Sequence, residues 1–143
     1  MRALLIANPQ AHNGRAAKLV QPVIEALNEQ GITVEARMTE ARGHGIDLVR
    51  EADLSDMDAI LAMGGDGTVF ETLNGLFHRD EPTGLPLGII PVGTGNAFVR
   101  DFGLDNQQWR EAIRIIGQGN RRTVDVGRFT CKHDIWYFLN IIG

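Results

Sequence analysis

The sequence predicts an α/β fold in which helices cover a mostly parallel sheet. Short apolar runs alternate with segments of 3.6-residue periodicity along most of the 143 residues, which is the pattern of consecutive βα units. With 43% hydrophobic residues, a chain of this length buries roughly 68 to 70% of its unfolded surface. We therefore expect one compact α/β core.

Strand-like segments of five or six residues predict four strands. They cover residues 3–7, 33–38, 59–63 and 87–91. Each is followed by a helical or glycine-rich segment, and crossovers of that kind connect parallel strands. The strands should therefore lie side by side with their carboxyl ends at one edge.

Helical periodicity predicts four helices. In the first, an apolar stripe from Ala16 to Leu27 ends at Gly31, and Pro22 should kink it. Thr68 and Glu71 have the spacing of a capping box at the start of the third helix. The second, third and fourth helices are predicted at residues 44–52, 69–77 and 106–116.

After Arg122 the pattern changes to two strand-like runs around Lys132-His133-Asp134, which predicts a β-hairpin. Residues 135–142 are almost wholly apolar, and such a strand should be covered on both faces. No sequence remains to cover it, so we expect residues 1–121 to form the α/β domain and residues 122–143 to open a truncated second β domain. The uncovered hairpin should pair with a second copy of the chain as a homodimer, or be poorly ordered.

Composition excludes several classes of protein. The net charge of −4 argues against a general nucleic-acid binder. The single Cys131 cannot form an intrachain disulfide, and the four histidines lack metal-ligand spacing, which fits a reducing cytoplasm and no structural zinc. No run approaches the length of a signal sequence or a membrane span. We expect a cytoplasmic protein.

Three loops follow predicted strands and should carry the function, because ligands of open α/β sheets bind outside the carboxyl ends of the strands. They read NPQAHNGR after the first strand, GGDGT after the third and PVGTGN after the fourth. Glycine permits positive φ and close backbone approach, both of which a phosphate site uses. The glycines concerned are Gly64, Gly65, Gly67, Gly93 and Gly95.

Asp66 stands between glycines in the middle loop, where a phosphate-binding turn would be expected to carry a cation. A turn-stabilising hydrogen bond is the structural alternative. The chain contains neither the G-x-x-x-x-G-K-[ST] nor the G-x-G-x-x-G pattern. The Walker and Rossmann modes of nucleotide binding are therefore unsupported.

The segments GGDGTVFETLNGL and LGIIPVGTGNAFVRDFGL resemble the catalytic domain of the diacylglycerol kinase family, which includes bacterial lipid kinases and the sphingosine and ceramide kinases. GGDG alone is shared with NAD kinases and phosphofructokinases, whereas PVGTGN and VDVGR narrow the resemblance to lipid kinases. Further matches are Asn8-Pro9, Gly14-Arg15, Thr39, Gly43-His44 and TVDVGR. Two positions depart from the family: residues 10–13 lengthen the first loop, and Ala97 stands where many bacterial members have aspartate.

The resemblance implies a three-layer sandwich like that of phosphofructokinases and NAD kinases. It also implies an ATP- and Mg²⁺-dependent kinase that phosphorylates a lipid hydroxyl, of diacylglycerol or a similar acceptor, with peripheral contact at the inner membrane face. Residues 1–121 would be the ATP-binding domain, and the chain the nucleotide-binding half of a longer enzyme, inactive alone. A NAD kinase-like enzyme and a non-catalytic nucleotide-binding regulatory module remain as alternatives.

Together with the loops, the resemblance implies roles for individual residues. Asp66 would be catalytic, either orienting Mg²⁺ through water or receiving the proton of the attacking hydroxyl. The residues expected to bind nucleotide are Asn8, Pro9, Gly14, Arg15, Thr39, Gly64, Gly65, Gly67, Thr68, Val69, Phe70, Glu71, Gly93, Thr94, Gly95 and Asn96. Among them, the backbone N–H groups of Gly65, Gly67 and Thr68 would hold the phosphates.

Overall fold

The structure, a computed structural model, describes residues 1–94, 96–100, 103–105 and 107–139. In this part of the chain, four parallel strands form the central sheet in the order β2-β1-β3-β4. The strands are β1 (Arg2–Ala7), β2 (Thr33–Met38), β3 (Ala59–Gly64) and β4 (Leu87–Pro91). All four predicted strands are confirmed, with bounds that differ by one residue at most.

Five α-helices are seen in the described residues: α1 (Val20–Glu29), α2 (His44–Glu51), α3 (Asp66–Phe77), α4 (Ala97–Arg100) and α5 (Trp109–Gly117). Helices α1 and α5 pack on one face of the sheet, and α2 and α3 lie on the other. The result is the predicted three-layer arrangement. Helix α4 has a single turn and was not predicted, and the predicted start of the last helix at Asn106 lies outside the described residues.

The two faces of the sheet are separated by the alternation of side chains along each strand. In β1, Ala3, Leu5 and Ala7 face α1 and α5, whereas Leu4 and Ile6 face α2. All five are fully buried. A central parallel strand covered on both faces must be apolar at every position, which is why this run has no polar residue.

The first helical segment differs from the prediction in one respect. A 3₁₀-helix at Arg15–Leu19 leads into α1, and Pro22 is the third residue of α1. The first four N–H groups of a helix have no intrahelical partner, so the missing N–H of proline disrupts nothing there. Pro22 therefore lies in the first turn of a new helix, and the prediction that it kinks a continuous helix is wrong.

The start of α3 also differs from the prediction. The helix begins at Asp66, three residues early, with Gly65 as its N-cap in extended conformation. Thr68 is already inside the first turn, and its buried Oγ1 has no hydrogen-bond partner among the described residues. The predicted capping box is therefore wrong, since Glu71 instead accepts a hydrogen bond from the backbone N–H of Gly43.

The predicted hairpin is confirmed as β5 (Gly127–Cys131) and β6 (Asp134–Phe138), which pair antiparallel. Its two turn residues, Lys132 and His133, have φ of 51° and 71°. Two consecutive positive φ angles are the mark of a type I′ turn, whose twist suits a hairpin.

The expectation that nothing in the chain covers the hairpin is wrong for its described part. The edge of β6 that does not pair with β5 lies against α3, where Tyr137 bonds Asn74 and stacks on Phe77. Ile135 stays 41% exposed. Pairing between identical chains would have to use the edge of β5, and it remains a prediction. Residues 140–143 lie outside the described part.

None of the helices in the described ranges has the length and hydrophobicity needed to cross a bilayer.

The packing of α3 on α2 depends on Gly75. A Cβ at this position would lie 2.6 Å from Val49 Cβ and 2.8 Å from the Ile46 carbonyl oxygen. We predict that Gly75→Ala lowers the free energy of unfolding by about 1–3 kcal/mol, because overpacking there displaces backbone. Urea unfolding followed by circular dichroism measures this.

The matched control is Gly67→Ala in the same helix. A Cβ at Gly67 would meet no heavy atom of the described residues within 4 Å. It should leave the free energy of unfolding unchanged or raise it by up to about 1 kcal/mol. Equal destabilisation by both changes would contradict the proposed contact of Gly75 with α2.

Candidate functional site

Loops that follow three neighbouring strands meet in one cleft of about 850 Å³ at the carboxyl edge of the sheet. Asn8 follows β1, Thr39 follows β2, and Asp66 follows β3. Backbone hydrogen bonds extend the sheet to this edge: Asn8 N–H donates to Met63 O at 3.0 Å, and Thr39 N–H donates to Ala7 O at 2.9 Å. Three of the residues predicted from different loops therefore face a common space.

The GGDG and PVGTGN loops touch through their backbones. The N–H groups of Val92 and Gly93 both donate to Gly64 O, at 3.2 Å each. A Cβ at Gly93 would lie 2.4 Å from Gly65 Cα, and a Cβ at Gly64 would lie 2.2 Å from Thr68 Oγ1. Glycine is required at both positions because other atoms occupy the space of a side chain.

This close approach is between two loops, and the predicted approach of the glycine backbone to a phosphate stays a prediction. The predicted positive φ is wrong for the described glycines of these loops. Gly64, Gly65, Gly67 and Gly93 are absent from the glycines of positive φ, and Gly65 has a φ of −103°. The chain passes directly from the extended Gly65 into the right-handed helix α3, and this connection needs no residue of left-handed conformation. Gly95 lies outside the described residues.

Asp66 connects two loops that are 31 residues apart. Its Oδ1 and Oδ2 accept a hydrogen bond from Ala97 N–H at 3.0 and 3.2 Å. The donor is a backbone group at the first residue of α4, so the departure from aspartate to alanine at this position leaves the contact intact. Asp66 is half-buried and lines the cleft. The carboxylate therefore both joins the loops and borders the cleft.

Glu71 lies one turn further along α3 and connects this helix to the loop before α2. Its carboxylate accepts a hydrogen bond from Gly43 N–H, and a Cβ at Gly45 would lie 3.1 Å from Glu71 Cβ. Burial raises the pKa of the Glu71 carboxyl, and the Gly43 N–H together with the charges of His44 and Arg42 opposes that rise. Glu71 lines the cleft and makes a structural bond that was not foreseen, and its contact with a nucleotide stays a prediction.

The other polar residues predicted to contact nucleotide fall into two groups. Asn8 and Thr39 line the cleft. Asn96, in contrast, is buried and donates from Nδ2 to Gly93 O, so its side chain holds its own loop in shape. Thr94 is exposed, and its carbonyl accepts from Arg100 Nη2 at 3.3 Å.

The remaining predicted residues lie beside the cleft or under it. Thr68 and Val69 belong to the first turn of α3 and are buried. Gly14 and Arg15 stand at the start of the 3₁₀-helix, and neither lines the cleft in the described arrangement. The lengthened first loop turns through three consecutive residues of positive φ, which are His12, Asn13 and Gly14.

The cleft also has an aromatic wall, of which only Phe70 was predicted from the sequence to contact a ligand. It consists of Phe129, Trp136 and Phe138 from the hairpin, together with Phe70 of α3. The Phe70 and Trp136 rings stack with centroids 5.9 Å apart. Residues 136 and 138 share one face of β6, and Phe129 pairs with Trp136 across the hairpin, so strand alternation could have grouped these three side chains.

The residues that the structure describes contain no cluster of three His, Cys, Asp or Glu side chains able to hold a metal ion. Asp66 places a carboxylate at the first residue of α3, and Glu40 and Glu71 also line the cleft. One carboxylate with substrate phosphates and water is a common environment for Mg²⁺, which rarely has a cage made only of protein. The carboxylate of Asp66 is therefore compatible with Mg²⁺ that arrives with a nucleotide.

Comparison with known proteins assigns the family. Residues 2–129 match the sequence model of the diacylglycerol kinase catalytic domain. The chain belongs to this family. The predicted resemblance is thereby confirmed, and membership of the diacylglycerol kinase family accounts for the joint presence of GGDG and PVGTGN at one edge of the sheet.

Several members of the family are similar over most of this chain. The diacylglycerol kinase of Bacillus subtilis strain 168 is 34% identical over 143 residues, covering 99% of this chain and 45% of the relative. Sphingosine kinase 2 of Homo sapiens is 37% identical over 101 residues, covering 68% of this chain and 15% of the relative. A diacylglycerol kinase crystal structure from Bacillus anthracis str. Sterne gives a TM-score of 0.75 at 33% identity, covering 97% of this chain and 48% of that one. The chain spans less than half the length of these relatives.

The raised pKa of Glu71 predicts a pH dependence of stability. Because the folded protein keeps this proton to a higher pH than the unfolded chain, the contribution of Glu71 to the free energy of unfolding should fall as pH rises from about 4.5 through the raised folded pKa. Glu71→Gln cannot titrate and keeps an oxygen for Gly43 N–H, so it should remove this fall. Urea unfolding of both proteins across this range measures it. A difference in stability that is constant with pH, or that changes in the opposite direction, would contradict the assignment.

Proposed function

We propose that the chain binds Mg·ATP in the cleft, as the nucleotide-binding part of a kinase that phosphorylates the hydroxyl of diacylglycerol or a similar lipid. The observation that carries the proposal is the open N-terminus of α3, which begins directly after β3 and borders the cleft at Asp66 and Gly67. The names of the relatives, diacylglycerol kinase and sphingosine kinase, support the choice of acceptor class.

The start of α3 suits an anion for two reasons. Its N-cap is Gly65, and no side chain among the described residues caps it, so its first N–H groups are free for a ligand. The aligned peptides of a 12-residue helix place a partial positive charge there, which favours phosphate. The space above Gly67 is open, so phosphate oxygens can approach the backbone.

We propose that Asp66 acts where the terminal phosphate of ATP meets the lipid hydroxyl. Its oxygens each accept from the same Ala97 N–H, and a carboxylate has further lone pairs that can face the cleft. We assign it either the orientation of Mg²⁺ through water or acceptance of the proton from the lipid hydroxyl. When bound, Mg²⁺ neutralises developing charge on the phosphates. Asn8 and Thr39 line the cleft, and we assign them hydrogen bonds to the nucleotide. The contact proposed for Arg15 stays a prediction.

The aromatic wall supports a lipid acceptor. Phe129, Trp136 and Phe138 present apolar surface in the cleft that Asp66 also lines. An acceptor with acyl chains can pack there while its hydroxyl points toward the carboxylate. Peripheral contact with a membrane surface would deliver such an acceptor, and we include it in the proposal.

Calorimetric titration of Mg·ATP into this chain tests the nucleotide part. Weak, Mg²⁺-dependent binding is expected, and Gly67→Ala should reduce the affinity because its methyl group enters the phosphate space while the fold persists. A folded protein that binds no nucleotide would refute the proposal. The expectation that the chain is inactive alone stays a prediction, so phosphate transfer is read separately.

An assay with labelled ATP and diacylglycerol, sphingosine or NAD as acceptor separates the candidate activities. It is carried out both with this chain and with an enzyme of the full length of the relatives. Transfer to a lipid is the expected result. Transfer to NAD would favour the NAD kinase alternative, and nucleotide binding without transfer to any acceptor would favour a regulatory module.

Two substitutions at Asp66 separate its two contacts. Asp66→Asn retains an oxygen for Ala97 N–H but loses the charge, so in an enzyme of the full length of the relatives we predict that kcat falls about 100-fold or more while KM for ATP changes little. Asp66→Ala should also lower the free energy of unfolding by about 1 kcal/mol, since α4 loses its cap. Steady-state kinetics and urea unfolding measure both. If Asp66→Asn weakened nucleotide binding as much as turnover, its role would be in ground-state binding.

A further inference from the structure

The hairpin is fastened to α3 by one carboxamide. Asn74 is fully buried, and its Nδ2 donates to Tyr137 O at 2.9 Å and to Phe70 O at 2.8 Å. Its Oδ1 accepts from Tyr137 N–H at 2.9 Å. One side chain therefore satisfies both backbone groups of a β6 residue and uses both of its own N–H donors.

A second contact continues the same edge. His78 follows Asn74 by one helical turn, and its Nε2 lies 2.7 Å from Ile135 O. Because a carbonyl only accepts, this nitrogen carries the proton and donates. Residues 135 and 137 are alternate positions of β6, so α3 bonds the edge of β6 with the spacing of a strand.

This geometry explains why an amide is needed at position 74. A carboxamide has the donor and acceptor of a peptide group, so Asn74 takes the place that a backbone amide of a third strand would occupy. The open edge of a strand otherwise presents unpaired N–H and C=O groups. A residue without both functions would leave at least one of them buried and unsatisfied.

The same strand carries the aromatic wall of the cleft. Trp136 and Phe138 lie on either side of Tyr137 in β6, and Trp136 stacks on Phe70. Helix α3 holds Asp66 at its start and Asn74 two turns later. The position of the aromatic wall relative to the Asp66 carboxylate therefore depends on α3 and on the hydrogen bonds between Asn74 and Tyr137.

We propose that Asn74 is a positioning residue: its carboxamide holds β6 against α3 and so places the aromatic wall at the distance from Asp66 that a lipid acceptor requires. The identity of this ligand rests on the proposed function. Asn74 itself does not line the cleft and acts through Trp136 and Phe138.

Fluorescence of Trp136 tests, without any ligand, whether Asn74 holds β6 against α3. Trp109 is replaced in every variant by Trp109→Phe, so that Trp136 is the only indole. Asn74→Asp is nearly isosteric but directs a carboxylate at the carbonyls of Phe70 and Tyr137, which should release the hairpin. Acrylamide quenching of Trp136 should then rise about twofold or more, while circular dichroism and cooperative urea unfolding show that the sheet persists.

The matched control is Thr72→Val in the same helix. Thr72 is equally buried and donates its hydroxyl to Thr68 O, with no bond to the hairpin among the described residues. It should leave Trp136 quenching unchanged. Unchanged quenching in a folded Asn74→Asp protein, or an equal rise in Thr72→Val, would overturn the proposal.

His78 supplies a second test if Asn74→Asp fails to fold. His78→Ala removes one bond at the more exposed end of β6 and should raise Trp136 quenching by a smaller amount. His78→Gln carries an amide N–H that can donate to Ile135 O and should restore the original value. Absence of both the rise and the rescue would count against the edge contact.

Ligand affinity decides whether the fastening positions the wall. Binding of short-chain dioctanoylglycerol is followed by the fluorescence emission of Trp136, and binding of Mg·ATP is measured by calorimetry. Asn74→Asp should weaken lipid binding about tenfold and leave nucleotide affinity within about twofold, because the start of α3 is unchanged. A freed hairpin with unchanged lipid affinity would overturn the positioning role. If the original protein bound neither probe, the proposed function would fail, and the quenching comparison would still decide whether Asn74 holds the wall.

Discussion

Helix α3 begins at Asp66, with only Gly65 between it and the end of β3 at Gly64, and the rest of the site is built along this helix. The short connection points the helix N-terminus at the carboxyl edge of the sheet, where its free N–H groups and partial positive charge face the cleft. Each further turn then joins α3 to a different element. Asp66 bonds α4, Glu71 bonds the loop before α2, and Asn74 bonds β6.

Close backbone packing makes this arrangement possible. Gly93 lies against Gly65, Thr68 fills the space beside Gly64, and Gly75 admits Val49 of α2. At each position the constraint is the room that a Cβ would take, not a left-handed backbone. The one open glycine of this set is Gly67, and the space above it is where the proposed phosphate binds. The packed Gly64 and Gly75 and the open Gly67 therefore lie within a dozen residues of one another.

Much of the fold could be predicted from the sequence, because β1 and β3 are almost continuous buried apolar runs and the hairpin shows two strand-like runs around a polar turn. The start of α3 could not. Thr68 and Glu71 have the spacing of a capping box, but the passage from β3 into the helix at Gly65 places both residues inside the helix. Glu71 then finds a better partner in Gly43, which lies 28 residues away in sequence. The spacing of Thr68 and Glu71 fits a capping box, but the tertiary contact between Glu71 and Gly43 forms instead.

The sequence by itself determined the four strands, the hairpin, the loops that meet at one edge, and the resemblance to the diacylglycerol kinase family. Only the tertiary structure decided which loop residues face the cleft: Asn8, Thr39 and Asp66 do, whereas Asn96 turns into its own loop. It also decided that the hairpin forms an aromatic wall held by Asn74, 63 residues before Tyr137. Periodicity and turn chemistry act over a few residues, so they predict elements. Hydrogen bonds between distant segments depend on how the elements pack, and no local pattern encodes that.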